Sequence, residues 1–265
     1  MNRIAAEVEY CGYQYHGWQK QPDVRTIQNE IENSIFLIAG EHVETFASGR
    51  TDTGVHALGQ VFHFDVKASR PITAWVKGLN ALLPNSIRIK WAQEVSQQFH
   101  ARYSVINREY QYLLYNHAIQ SAVYDGLVGW SYHQLDNTLV KSACKKFEGE
   151  HDFSSFRSSE CQAKSPVRTI NLFNCEFFGN FYLFKIQANG FLHHQIRNML
   201  ATIITVSRGA KELNYIDSLF DAKDRSMAPP TFMPDGLYLT NIKYDDEWAL
   251  PQKYNSVNIF AHDKS

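Results

Sequence analysis

Two periodicities organise this chain: apolar and polar residues alternating in twos mark strands, and apolar residues recurring every three or four positions mark helices. Asn2 to Tyr10 reads as a first strand. After a Gly-containing loop, Thr26 stands where it can cap a helix whose Ile27, Ile31, Ile35 and Ile38 fall at helical spacing. Glu44 to Ala47 carries strand-type residues into a turn, and Val61-Phe62-His63-Phe64-Asp65-Val66 leaves it with Phe62, Phe64 and Val66 on one face. A second helix spans Ala74 to Leu83 and is stopped by Pro84-Asn85, after which Ile87 to Val95 returns as a strand. This β-α-β-β-α-β order is that of a ferredoxin-like half.

The remainder repeats the theme with insertions. Arg108 to Tyr115 alternates as a strand, Asn137 to Phe147 reads as a helix closed by Gly149, and Asn171 to Ala188 reads as a hairpin around Gly179-Asn180. A long helix, Phe191 to Arg208, is ended by Gly209, a shorter helix follows, and Leu237 to Tyr244 is the last strand. The pattern predicts an α+β fold of two ferredoxin-like, RRM-like halves, residues 1–105 and 106–248, with a tail over 249–265. Open sheets joined side by side in this way would leave a cleft between the halves.

Composition narrows the class without naming a function. With 44% hydrophobic residues in 265, the chain has ample material for a core. A formal charge of −1 gives no global basic signature, so any contact with a polyanion must come from clustered Arg and Lys offset elsewhere, as by the run Asp245-Asp246-Glu247. Cys11, Cys144, Cys161 and Cys175 have no Cys-x-x-Cys spacing, which excludes the usual zinc-finger and thioredoxin-like patterns and suits a reducing, cytoplasmic setting. The amino terminus is too polar for a signal peptide, and the longest apolar stretch, near Met199 to Val206, is far short of a membrane span. A soluble protein without membrane contact is expected.

The chemistry concentrates in Gly49-Arg50-Thr51-Asp52-Thr53-Gly54-Val55-His56-Ala57. Asp52 lies between a cation and a glycine on a tight turn at a strand edge, where a carboxylate can face a ligand. Asp-Thr-Gly is also the triplet of aspartic proteases, but that chemistry needs two carboxylates sharing a proton; the triplet occurs once, and Arg50 favours an ionised Asp52. An Asx-turn, with the aspartate bonding its own backbone, is the plain structural alternative.

The nonapeptide resembles the catalytic signature of the TruA-type tRNA pseudouridine synthases. Further segments resemble the same family in the same order: Tyr10-x-Gly12-x-x-Tyr15-x-Gly17-Trp18-Gln19-x-Gln21, Phe99-His100-Ala101-Arg102, Arg108-x-Tyr110-x-Tyr112, Asp152-Phe153-x-Ser155-Phe156-Arg157, His193-His194-Gln195-Ile196-Arg197-Asn198-Met199 and Gly236-Leu237-Tyr238-Leu239. They span residues 4 to 244, a whole enzyme. The resemblance implies the pseudouridine synthase fold, a homodimer, and cofactor-free isomerisation of uridine at positions 38, 39 and 40 of the tRNA anticodon stem-loop. A catalytically silent RNA-binding protein on the same scaffold is the alternative; Arg50, Asp52, Tyr110 and Arg197, all intact, speak against it.

By the same resemblance Asp52 is the nucleophile, Tyr110 stacks on the target uracil and moves a proton through its hydroxyl, and Arg197 pairs with the aspartate. Arg50 fills the space left by the extruded base, and Leu237 walls the uracil pocket. Arg102 and Arg168 are candidate phosphate contacts. His193 and Arg197, one turn apart, are expected on one helix face. Adjacent His193 and His194 point different ways on a helix with no third ligand nearby, so they read as core or RNA contacts, and no metal is expected. Cys11, Thr53 and Lys164-Ser165-Pro166 depart from the family's usual Asp, Ala and Arg-Thr-Pro; they bear on loop packing and tRNA discrimination.

Overall fold

The computed structural model describes residues 1–251 and 253–257; residue 252 and residues 258–265 of the expected tail lie outside the described residues. The first elements along the chain are β1 (Asn2–Tyr10), α1 (Ile27–Ala39), β2 (Phe46–Ala47), β3 (His56–Val66), a π-helical turn (Ala74–Gly78) running into α2 (Leu79–Leu82), and β4 (Ile87–Val95). Then follow β5 (Val105–Asn116), β6 (Gly129–Ser131), α3 (Asn137–Lys146), β7 (Gly149–Asp152), β8 (Val167–Phe178), β9 (Phe181–Ala188), α4 (Gln195–Ser207), α5 (Tyr215–Ala222) and β10 (Leu237–Tyr244). The fold is α+β, with mostly antiparallel strand pairing. Contacts divide the chain into two units, Met1–Ile106 with Tyr238–Ser265, and Asn107–Leu237. Among the described residues no helix is long and apolar enough to cross a membrane.

In the first unit the strand order is β4-β1-β3, with β2 pairing β3 through Phe46 and Ala47. The last strand joins it in parallel, Tyr238 and Leu239 opposite His56 and Ala57. Thr26 caps α1, and Gly40 ends it in the left-handed conformation, its N–H donating to the Phe36 carbonyl at 2.8 Å. Ile27, Ile31 and Ile35 are fully buried, as their spacing predicts. The alternation on β3 divides its side chains as expected, but both faces are covered. Phe62 and Phe64 pack with Trp18 and Trp75, at ring distances of 6.0 and 5.3 Å. Val61, on the opposite face, joins a second core of Ala5, Phe99, Ala101 and Tyr244. Double burial makes β3 nearly inaccessible from end to end, so its polar members, Gln60 and His63, must find partners inside the protein.

The second unit's sheet runs β5-β9-β8-β7, with β6 parallel to β5. Several expected elements differ in extent or type. The strand read over Glu44 to Ala47 is only Phe46–Ala47, and the helix read over Ala74 to Leu83 is half π-helical. The long helix begins at Gln195 and not at Phe191: Leu192 N–H donates to Gln195 Oε1 at 2.8 Å, and His194 takes φ 62°, so the chain turns before it coils. His193 therefore precedes the helix and does not share a helical face with Arg197. Gly149, read as the end of α3, opens β7 at φ 101°, while Phe147 caps the helix.

Candidate active site

The turn that carries Asp52 is held from both sides within the first unit. On the side of β3, Ser48 N–H donates to the Val61 carbonyl at 2.8 Å. The fully buried Gln60 meets the Ser48 hydroxyl and donates from Nε2 to the Gly49 carbonyl at 2.5 Å. On the other side the loop after β1 wraps the turn. Tyr10 and Thr51 hydroxyls lie 2.8 Å apart, Trp18 N–H donates to the Thr51 carbonyl at 3.1 Å, and Gly54 N–H donates to the Tyr15 carbonyl at 3.3 Å. Gly12 N–H donates to His56 Nδ1 at 3.1 Å, and the His56 ring stacks on Tyr238 at 4.5 Å.

Two glycines of that loop leave no room for a side chain. A Cβ on Gly12 would sit 1.9 Å from the Val55 carbonyl oxygen; one on Gly17, whose φ is 78°, would sit 2.5 Å from the Thr51 carbonyl oxygen. The turn closes through main-chain atoms, Val55 N–H donating to the Asp52 carbonyl at 3.2 Å, with Gly54 at φ 81° in the position that favours glycine. Asp52 is half-buried, Arg50 exposed. The result is a carboxylate on a backbone fixed before any ligand arrives, the preorganisation that nucleophilic or electrostatic catalysis requires.

Arg102, also in this unit, lies on the turn after β4, exposed, with its guanidinium carbon 5.7 Å from the Tyr103 ring centre.

The other candidates belong to the second unit. Tyr110 lies on β5 opposite Ile186, 7% exposed, its ring edge-to-face with Phe191 at 5.3 Å. Arg197, half-buried on α4, donates from Nε to the Phe232 carbonyl at 2.8 Å. Its charge also reaches Asp235, whose carboxyl is raised by burial and by Asp125 while Arg197 pulls it down. Leu237 is 4% exposed; its N–H donates to the Pro234 carbonyl at 2.8 Å, and the preceding Gly236 accepts from Leu113 N–H at 2.9 Å, which ties the segment to β5. Arg168 sits on β8 opposite His151 and folds back on its own loop, donating to the carbonyls of Ser165 at 3.0 Å and Val167 at 2.6 Å; burial lowers its pKa.

Arg50 and Asp52 thus share one turn, and Tyr110 and Arg197 each keep company that pattern reading did not name. Phe191 faces Tyr110 from just ahead of α4, and Asp235 lies two residues before Leu237, just outside the segment Gly236 to Leu239 that the pattern singles out. Gln60, Gly12 and Gly17 were legible as residues but not as the clamps of the turn, since each acts on a partner far away in sequence.

An α+β protein that fixes a carboxylate and a guanidinium on one interstrand turn has the makings of an enzyme. A family model described as tRNA pseudouridine synthase matches residues 6–104 and 143–245. The chain belongs to this tRNA pseudouridine synthase family and is an isomerase. It is 46% identical to tRNA pseudouridine synthase A of Chromobacterium violaceum over 97% of this chain and 98% of the relative. The corresponding proteins of Methylobacillus flagellatus and Dechloromonas aromatica are 45% and 43% identical, with 97% and 94% of this chain and 98% and 95% of theirs covered. A solved chain from the crystal structure of a Cbf5-Nop10-Gar1 complex aligns over 89% of this chain and 58% of its own, at a TM-score of 0.37 and 13% identity, too remote to bear on function.

Proposed function

We propose that this enzyme converts uridine to pseudouridine at positions 38, 39 and 40 of the tRNA anticodon stem-loop, with Asp52 as nucleophile. The observation that carries the reading is the clamped turn: a family member that invests Gly12, Gly17 and Gln60 in holding Val55, Thr51 and Gly49 still has a reason to fix Asp52, which lies among them. In the reaction the N1–C1′ glycosidic bond breaks, the uracil turns, and C5 bonds to C1′; the C5 proton is lost and N1 gains one, so atoms balance without an external reagent. A carboxylate serves either by adding to C6 of the ring and leaving once the carbon–carbon bond has formed, or by acting at C1′ of the ribose through a glycal-type intermediate and being free again before C5 bonds there.

The remaining roles follow the family resemblance. Tyr110 is assigned base stacking and proton transfer, Arg197 the counter-charge, Arg50 the place of the extruded base, Leu237 an apolar wall, and Arg102 and Arg168 phosphate contacts. Work as a cytoplasmic homodimer belongs to the same reading. Asp52→Asn should retain tRNA binding and lose pseudouridine formation by about a thousandfold or more, measured by chemical mapping of pseudouridine in a tRNA transcript. Turnover within tenfold of the unsubstituted enzyme would sink the nucleophile assignment.

A further inference from the structure

At the opposite end of β3 from the Asp52 turn, aromatic and imidazole rings form a ladder that surfaces beside a cation. Phe46 stacks on His63 at 5.2 Å, His63 meets His100 edge-on at 4.7 Å, and His100 lies against Tyr103 at 4.3 Å. The ladder ends in solvent: Tyr103 is 76% exposed, and the guanidinium of Arg102 leans over its ring.

Several bonds keep this surface rigid. His63 Nδ1 accepts from Ala101 N–H at 3.2 Å, His100 Nδ1 accepts from Arg102 N–H at 3.1 Å, and Ser104 N–H donates to the His100 carbonyl at 2.9 Å. Both imidazoles stay neutral near pH 7. Burial, with His100 and Arg3 nearby, lowers His63 to about 4; burial and the charges of Arg3 and Arg102 lower His100 as well. Neutral rings already packed against one another give up little conformational freedom when another flat group joins them.

We propose that Tyr103, backed by His100 and flanked by Arg102, is a stacking platform for an unpaired base of the substrate RNA, with Arg102 on the adjoining phosphate. The chemistry is that of single-strand recognition, an aromatic face for any base and a cation for the backbone. The platform takes a nucleotide other than the target. β3 rises about 3.4 Å per residue, so the seven steps from His56, which follows the Asp52 turn, to His63, at the base of the ladder, span about 24 Å. This assignment rests on RNA being the substrate, which pseudouridine formation by the unsubstituted enzyme tests separately.

The experiment is equilibrium binding of an unmodified tRNA transcript over a range of salt concentrations. Tyr103→Ala should weaken binding about 5- to 100-fold with the salt slope kept, Tyr103→Phe should bind like the unsubstituted enzyme, and Arg102→Gln should flatten the log–log slope by about 0.7 to 0.9. Binding by Tyr103→Ala within twofold of the unsubstituted enzyme, with its melting temperature unchanged, would overturn the platform. So would loss of self-association in Tyr103→Ala at full RNA affinity, which would make this face a contact between copies of the chain.

Discussion

Glu7 and His63 are buried titratable groups on neighbouring strands, and they tilt stability with pH in opposite senses. Burial, opposed by Lys90, pushes the Glu7 carboxyl up to about 7 from an ordinary 4.5. Between those values the folded protein holds a proton that the unfolded chain has released, so this contribution is lost as pH rises through the window. His63, at about 4 against an ordinary 6.5, is the reverse: the unfolded chain takes a proton first, and stability is lost as pH falls from about 6.5 to 4. Glu7→Gln should therefore raise stability at pH 8, by on the order of 2 kcal/mol, and give no gain near pH 4.5. His63→Asn should remove the acid-side loss. Urea unfolding across this range checks both, and parallel profiles for the unsubstituted protein and Glu7→Gln would refute the first. Neither group could be singled out from sequence, because alternation hides His63 among the outward positions of a strand whose outer face turns out to be covered by Phe99 and Tyr244.

At the level of elements, the loop after β1 governs the turn after β2. Gly17→Ala would place a methyl group 2.5 Å from the Thr51 carbonyl oxygen at an unfavourable φ, so the turn must shift. Pseudouridine formation should fall by about a hundredfold, the scale expected when a reacting group is misplaced by about 1 Å. Gly40→Ala is the control: its φ of 73° carries the same backbone penalty, about 1 kcal/mol, but nothing lies within 4 Å of the added methyl, so melting should drop while activity stays. Equal activity in the two variants would show that the loop does not set Asp52. Strands were the most legible elements: Ile87–Val95 and Leu237–Tyr244 match their sequence reading, since a period of two is a local property. The start of α4 was not legible, because the residues before it are helix-compatible and only the bond between Leu192 and the Gln195 side chain turns the chain aside.

For the whole molecule, a formal charge of −1 has to be reconciled with a polyanionic substrate. The reconciliation is local: if phosphates meet clustered cations, tRNA affinity should fall steeply with salt, by about 0.7 to 0.9 in log–log slope for each phosphate contact. A slope near zero would exclude phosphate-driven binding. The proposed homodimer is tested by sedimentation at the concentration of the activity assay. A monomer with full activity and affinity would remove the second subunit from the reading and leave the chemistry at Asp52 in place.

What the sequence determined by itself is what neighbouring residues impose on one another: the strand alternation, the isoleucine stripe and caps of α1, and the nonapeptide with its turn-forming glycine. Tertiary structure decided the rest. It paired Tyr238 and Leu239 with His56 and Ala57, across most of the chain's length. It buried both faces of β3, and it set Gly12 and Gly17 against the Asp52 turn. Each of these is a contact between segments remote in sequence, and such contacts leave no periodicity along the chain from which they could be read.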